Sequence, residues 1–179
     1  MSKATVTVTV KATVEAAFDF VAEPSNTPRF MNGITRYEPI GDQSRGKGAR
    51  FDSRAVVAGK HFDVELEVTG WKDNERMVAT SRKGPKTQGT WSFEEFDDGT
   101  TDVTLIYEYE LPMIFKFVPG VNGIIEGNLE KSLQKLKRLL EAEPAKPRPV
   151  ARKATVKSAA KAAPKAVTKS APRKAAKKA

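Results

Sequence analysis

Residues 119–143 read PGVNGIIEGNLEKSLQKLKRLLEAE. Val121, Ile125, Leu129, Leu133, Leu136 and Leu140 recur at three- and four-residue steps, with Ser132 beside Leu133. That spacing predicts one long helix with a single apolar stripe through Glu143. Pro119-Gly120 precedes it and Pro144 stops it. Lys135, Lys137 and Arg138 are expected in its last turns, where cations suit the negative helix end. Gly123 and Gly127 stand in its first turns, each costing about 1 kcal/mol of helix propensity relative to Ala. Two such residues imply that room is wanted there, either for close packing or for the mouth of a cavity.

A one-striped helix needs an apolar surface to lie on, and the upstream sequence supplies it. From Ile34 the pattern changes to a period of two. Runs at 34–40, 47–58, 61–71, 75–83, 87–96 and 101–111 are separated by Gly41-Asp42, Ala58-Gly59-Lys60, Lys72-Asp73-Asn74, Gly84-Pro85 and Asp97-Asp98-Gly99. Short turns between alternating runs predict hairpins, hence an antiparallel meander. Phe62, Val64, Leu66 and Val68 alternate with Asp63, Glu65 and Glu67, giving one apolar and one acidic face. Val103, Leu105, Tyr107, Tyr109 and Leu111 do the same against Asp102, Thr104, Glu108 and Glu110. Residues 5–10, TVTVTV, predict a further strand. Thr13 is a good N-cap for a helix carrying Val14, Phe18 and Val21; Pro24 ends it, and a second short helix through Phe30 and Met31 closes at Gly33. The order is strand, two short helices, six strands, long helix. This is an α+β chain, economically packed with the long helix in the concave face of a seven-stranded curved antiparallel sheet.

Downstream the composition breaks. Twelve of the 31 Lys+Arg fall in residues 144–179 with no acid, leaving 19 against all 22 Asp+Glu in residues 1–143, a balance of −3. The net charge of +9 therefore belongs to the tail and not to the first 143 residues. The expected organisation is one folded domain, 1–143, and a basic arm, 144–179. A domain of that size buries roughly two-thirds of its unfolded surface, enough for a core without staples. The chain has no cysteine, which rules out disulfides and thiolate chemistry. It has no run of about 18 apolar residues to cross a membrane. The first residues lack an apolar signal core, so a cytoplasmic location is expected, nucleoid-associated if the tail meets DNA.

The element order over residues 4–142 resembles the helix-grip superfamily, which includes START lipid-transfer domains, aromatic polyketide cyclases and birch-pollen-type allergens. Local text carries the resemblance. Thr13-Val14-Glu15-Ala16-Ala17-Phe18-Asp19-Phe20-Val21, followed by Pro24 and Pro28-Arg29-Phe30, looks like the first helices of that superfamily. Gly46-Lys47-Gly48-Ala49-Arg50-Phe51 looks like its third strand, and Gly89-Thr90-Trp91-Ser92-Phe93-Glu94 with Gly99-Thr100-Thr101-Asp102-Val103-Thr104 like its last hairpin. The resemblance implies an internal cavity between sheet and long helix that holds an apolar small molecule. The basic tail is not part of that pattern.

Alternation predicts that Phe51, Phe62, Leu66, Trp91, Phe93, Tyr107 and Tyr109 point inward, with Ile125 and Leu129 of the helix opposite them. These are the candidate ligand-binding residues; a solidly filled core is the competing arrangement. Tyr107 and Tyr109 could bring hydroxyls into a cavity, where a buried tyrosine oxygen needs a partner, or could reach backbone groups instead. The apolar connection Leu111-Pro112-Met113-Ile114-Phe115-Lys116-Phe117-Val118 either plugs the cavity or forms its rim. No metal-ligand spacing, cofactor motif or nucleophile–base pair is evident, and the single histidine, His61, reads as a surface residue.

In the tail, Lys153, Lys157, Lys161, Lys165, Lys169, Arg173 and Lys177 recur every four residues among Ala, Ser, Thr and Pro. A four-residue step drifts about 40° per repeat on a helix, so the cations make no single face. The composition predicts disorder. It resembles the Lys/Ala/Pro-rich tails of linker histones and bacterial histone-like proteins, and suits non-specific phosphate neutralisation. Nucleic acid, another polyanion, or no specific partner all satisfy it. Three functions stand open: carriage of a hydrophobic molecule, a polyketide cyclase or dehydratase, and a nucleoid- or RNA-associated factor acting through its tail.

Overall fold

Thr13 begins the helical part of the fold: its hydroxyl accepts the Ala16 N–H at 3.3 Å and caps α1, Val14–Ala22. A computed structural model describes residues 1–115 and 117–142. A single turn at Pro24–Asn26 leads into α2, Thr27–Phe30. The strands are β1 Ser2–Val10, β2 Ile34–Pro39, β3 Arg50–Val57, β4 Lys60–Lys72, β5 Arg76–Lys83, β6 Thr87–Glu95 and β7 Thr101–Tyr109. After a turn at Met113–Phe115, the long helix α3 runs Val121–Ala142.

All strand pairs are antiparallel, in the order β1-β7-β6-β5-β4-β3-β2. Five hairpins build β2 to β7, and β1 then joins the far edge of β7, from Ser2 opposite Tyr109 to Val10 opposite Thr101. The sheet curls into a half-barrel, and α3 lies in it, the helix-grip arrangement. The stripe read from residues 121–140 is the buried face: Val121, Leu129, Ser132, Leu133, Leu136 and Leu140 are all buried. Leu129, Leu133, Leu136 and Leu140 pack with Ala4, Val8 and Val10 of β1, Val103 and Leu105 of β7, and Phe18 of α1.

The expected cationic helix end is not observed. No basic residue falls in the last turn of α3. Lys135 and Lys137 stand earlier and reach sideways, Lys135 Nζ donating to Asn32 Oδ1 at 2.8 Å and Lys137 Nζ to the Thr9 carbonyl at 2.9 Å. These cations tie the helix to its neighbours and do not cap it.

The polar face of the sheet carries a cross-strand ladder of ions. Arg50 and Lys83 both reach Glu65, at 2.9 and 2.6 Å, Arg82 reaches Glu67 at 2.6 Å, and Arg54 reaches Asp63 at 2.8 Å. Opposite charges facing each other across strands reinforce the register. The β3–β4 hairpin turns through Ala58 and Gly59, both at positive φ (47° and 73°), the geometry of a tight primed turn. Residues 143–179 lie outside the described residues, and with them the whole expected tail.

Candidate functional site

Between the concave face and the first half of α3 lies a cavity of about 190 Å³. A single buried water needs about 10–15 Å³, so the space suits a small organic molecule. Its walls follow from the period of two. Phe51, Ser53 and Ala55 of β3 line it, as do Val64, Leu66 and Val68 of β4, Met77 and Ala79 of β5, Gly89 and Trp91 of β6, and Leu105 and Tyr107 of β7. Phe30 of α2 and Ile125, Asn128 and Leu129 of α3 complete it.

Two small residues hollow out the middle. Ala79 stands opposite Gly89 in the β5–β6 register, and Gly89 stands opposite Tyr107 on its other side. A Cβ on Gly89 would meet only ordinary contacts, at 3.9 Å from the Leu105 and Tyr107 side chains. Gly123 and Gly127 also have nothing within 4 Å of a built Cβ, so close packing is not what places glycine there. Gly33 is different. Its φ of +89° and a Cβ that would fall 2.9 Å from the Val56 carbonyl leave room for glycine alone, where the chain crosses from α2 to β2 at the cavity wall.

Six of the nine residues expected to face a ligand line this cavity: Phe51, Leu66, Trp91, Tyr107, Ile125 and Leu129. Phe62, Phe93 and Tyr109 do not. Phe93 is buried edge-on against Phe18, with ring centres 5.2 Å apart, because α1 covers that end of β6. Tyr109 is buried at the start of α3, donating to Asn122 Oδ1 at 3.0 Å. Phe62 meets Phe115 of the apolar connection at 5.4 Å, beyond the cavity end. The connection itself divides: Phe115 is buried, while Met113, Ile114, Phe117 and Val118 are exposed. His61 is exposed at the start of β4, off the cavity wall. The tail cations Lys153 to Lys177 lie outside the described residues.

Alternation missed two wall residues for one reason. Ile34 and Tyr37 both line the cavity although an odd number of steps separates them, because a register shift between Ile34 and Arg36 changes the phase of β2. A second shift between Val68 and Gly70 brings Trp71 onto the same face as Val68. No hydrophobic pattern marks either bulge.

The wall is chemically quiet. Tyr37 stacks on Phe51 at 4.7 Å, and burial pushes its hydroxyl far above the ordinary tyrosine range. Burial also raises Tyr107, partly offset by a hydrogen bond with Thr87. Both phenols stay neutral, able to donate a hydrogen bond but not to act as phenolate bases. The one ionic side chain among the described wall residues is Arg45, from the β2–β3 loop. It forms an ion pair with Asp19 and sits over the rings of Phe18 and Trp71, at 5.6 and 5.2 Å. Among the described residues no cluster of three or more His, Cys, Asp or Glu could hold a metal ion.

Residues 1–141 match the family model described as polyketide cyclase/dehydrase and lipid transport. Among solved structures, the chain is similar to a protein of Thermus thermophilus at 21% identity and TM-score 0.66, covering 76% of this chain and 95% of that one. A START superfamily protein from Mycobacterium smegmatis aligns at 19% identity and TM-score 0.60, covering 77% and 98%. The di-domain ARO/CYC StfQ from the steffimycin biosynthetic pathway aligns at 21% and TM-score 0.58, covering 76% of this chain but 44% of that one. Likeness at these identities speaks to fold alone. No curated protein matches the chain in sequence.

Proposed function

The chain belongs to the polyketide cyclase/dehydrase and lipid transport family, and from that premise we propose that it binds and carries an apolar small molecule in the cavity between sheet and α3. One observation carries this reading. The wall is built mostly from aliphatic and aromatic side chains, and the one ionic group among its described residues, Arg45, is held in a pair with Asp19. Such a surface rewards burial of an apolar body, at about 25 cal/mol per Å² removed from water. It offers a few neutral polar groups for orientation, which is the usual make-up of a small-molecule site. Phe51, Leu66, Trp91, Tyr107, Ile125 and Leu129 are the contacts we assign.

Native mass spectrometry of the full chain, followed by solvent extraction, tests it. The expected result is a stoichiometric apolar species, or uptake of a fluorescent fatty-acid or polycyclic probe that the extracted molecule displaces. A chain that carries nothing and takes up no probe overturns the reading.

Cyclase or dehydratase chemistry is the second reading, favoured by two tyrosines, Tyr37 and Tyr107, among the wall residues. Neutral phenols there could polarise a carbonyl of a folded polyketide-like substrate. Phenylalanine at both positions should abolish turnover while leaving binding; unchanged turnover would dispose of this reading. We further propose that residues 144–179, with twelve cations and no acid, bind polyanions, nucleic acid first. Retention of the full chain on DNA should then weaken steeply with salt.

A further inference from the structure

Among the described residues, eight large apolar side chains are exposed, and five of them fall between Met113 and Ile124. Met113 is 72% exposed, Ile114 59% and Phe117 88%, with Val118 and Ile124 beside them in sequence. Met1 is a sixth member, since Ser2 pairs with Tyr109 at the same end of the sheet. Single exposed apolar residues are ordinary; a cluster at one end is not.

The local structure explains why they point outward. Pro112 follows the end of β7, and Phe115 alone turns in, its N–H bonded to the Pro112 carbonyl at 2.8 Å and its ring on Phe62. Phe115 thus acts as the rivet of a short turn whose other apolar residues project from the fold. Phe62 pairs in register with Ala55, which lines the cavity, and Ile125 lines the cavity immediately after exposed Ile124. The patch therefore borders the cavity end formed by Ala55, Val56, Val57 and Ile125.

We propose that Met113, Ile114, Phe117, Val118 and Ile124 insert into the surface of an anionic lipid bilayer, setting the adjacent cavity end against the membrane. The chemistry selects this occupant. The patch is a protruding turn of aliphatic and phenylalanine side chains. Exposed Lys60, at the start of β4, flanks it, and exposed Lys86, whose ammonium pairs with Glu110 at 3.4 Å, stands at the entry to the turn. Lysines beside an apolar wedge fit the headgroup level of an anionic leaflet. This inference goes beyond carriage and stands without it, because insertion requires only the patch.

Flotation of the full chain with vesicles of phosphatidylcholine, or of phosphatidylcholine with phosphatidylglycerol, tests it. The chain should float with the mixed vesicles, and less with the neutral ones. The double variant Ile114→Ser, Phe117→Ser removes exposed side chains only, so its melting temperature and extracted ligand should match the parent. Its vesicle partition should fall by more than about tenfold, since two large apolar side chains no longer leave water for the bilayer. In Phe117→Trp, brominated acyl chains should quench the new indole. Undiminished flotation of the double variant, at a salt concentration that releases the basic tail, overturns the proposal. So does a parent that ignores both vesicles, including one running as a dimer that the double variant dissociates, which would make the patch a contact between copies. Ligand extraction reads the carrier hypothesis separately in every case.

Discussion

The ammonium of Lys135, in the middle of α3, donates to Oδ1 of Asn32 at 2.8 Å, across 103 residues of sequence. Asn32 answers through its backbone, its N–H reaching Ser132 Oγ at 2.7 Å, while Ser132 Oγ donates to the Asn128 carbonyl at 2.6 Å. This polar clasp fixes the segment before Gly33 against the helix, at the edge of the cavity. Lys135→Met keeps the aliphatic stem but drops the charge-assisted bond, so chemical denaturation should show a loss of about 1–3 kcal/mol. A neutral result would mean that the clasp is held by Ser132 alone.

Filling the hollow between β5 and β6 should separate binding from stability. Ala79→Phe places a ring opposite Gly89, in space the wall leaves empty. Bound apolar ligand should drop by at least about tenfold, with the melting temperature unchanged or higher, as expected when added apolar volume meets a void and not a packed core. A large loss of stability would show that the hollow beside Gly89 cannot take a ring.

All three tyrosines of the chain, Tyr37, Tyr107 and Tyr109, are raised above the ordinary value of 10.0, burial being the largest cause for each. A group whose folded value is raised supports the fold fully below its unfolded value and loses that support as pH rises toward the folded one. The Tyr37 share of phenolate absorbance should therefore appear only as the protein unfolds, and the Tyr107 and Tyr109 shares later than for a free tyrosine. Ionisation of all three tyrosines near 10 with the fold intact would place the Tyr37 hydroxyl in water.

Ala58 adopts φ of 47°, a left-handed conformation that costs a non-glycine residue about 1 kcal/mol or more. Asn tolerates that region and, with Gly59, makes the sequence best suited to a primed hairpin turn. Ala58→Asn should raise stability by about 0.5–1 kcal/mol in denaturant melts, without affecting ligand.

Much of this fold could be read from spacing alone. The stripe from Val121 to Leu140 and the alternation of Val64, Leu66 and Val68 report burial directly, since water is excluded at a period set by the backbone. The cavity was less legible. Tyr37 and Trp71 reach it only through bulges, which leave no trace in hydrophobicity, and Phe93 and Tyr109 miss it because α1 and the start of α3 cover their ends of the sheet. Parity points Phe62 inward, but parity does not tell where along a strand the hollow stops. Lys135 and Lys137 illustrate a related limit: charge near a helix end suggested the dipole, whereas the partners were Asn32 and the Thr9 carbonyl, distant in sequence.

The pairing of β1 with β7 also dictates the order in which the molecule can assemble. Residues 2–10 have no sheet neighbour until residues 101–109 exist, and their inner face has no cover until α3 follows. The hairpins from β2 to β7 can zip between near neighbours, but the first strand must wait for nearly the whole domain to leave the ribosome. Closing so long a loop is entropically costly and slow. An emerging chain therefore presents a Val/Thr-rich strand with a free edge for most of its synthesis, the interval in which a chaperone would have the most to do.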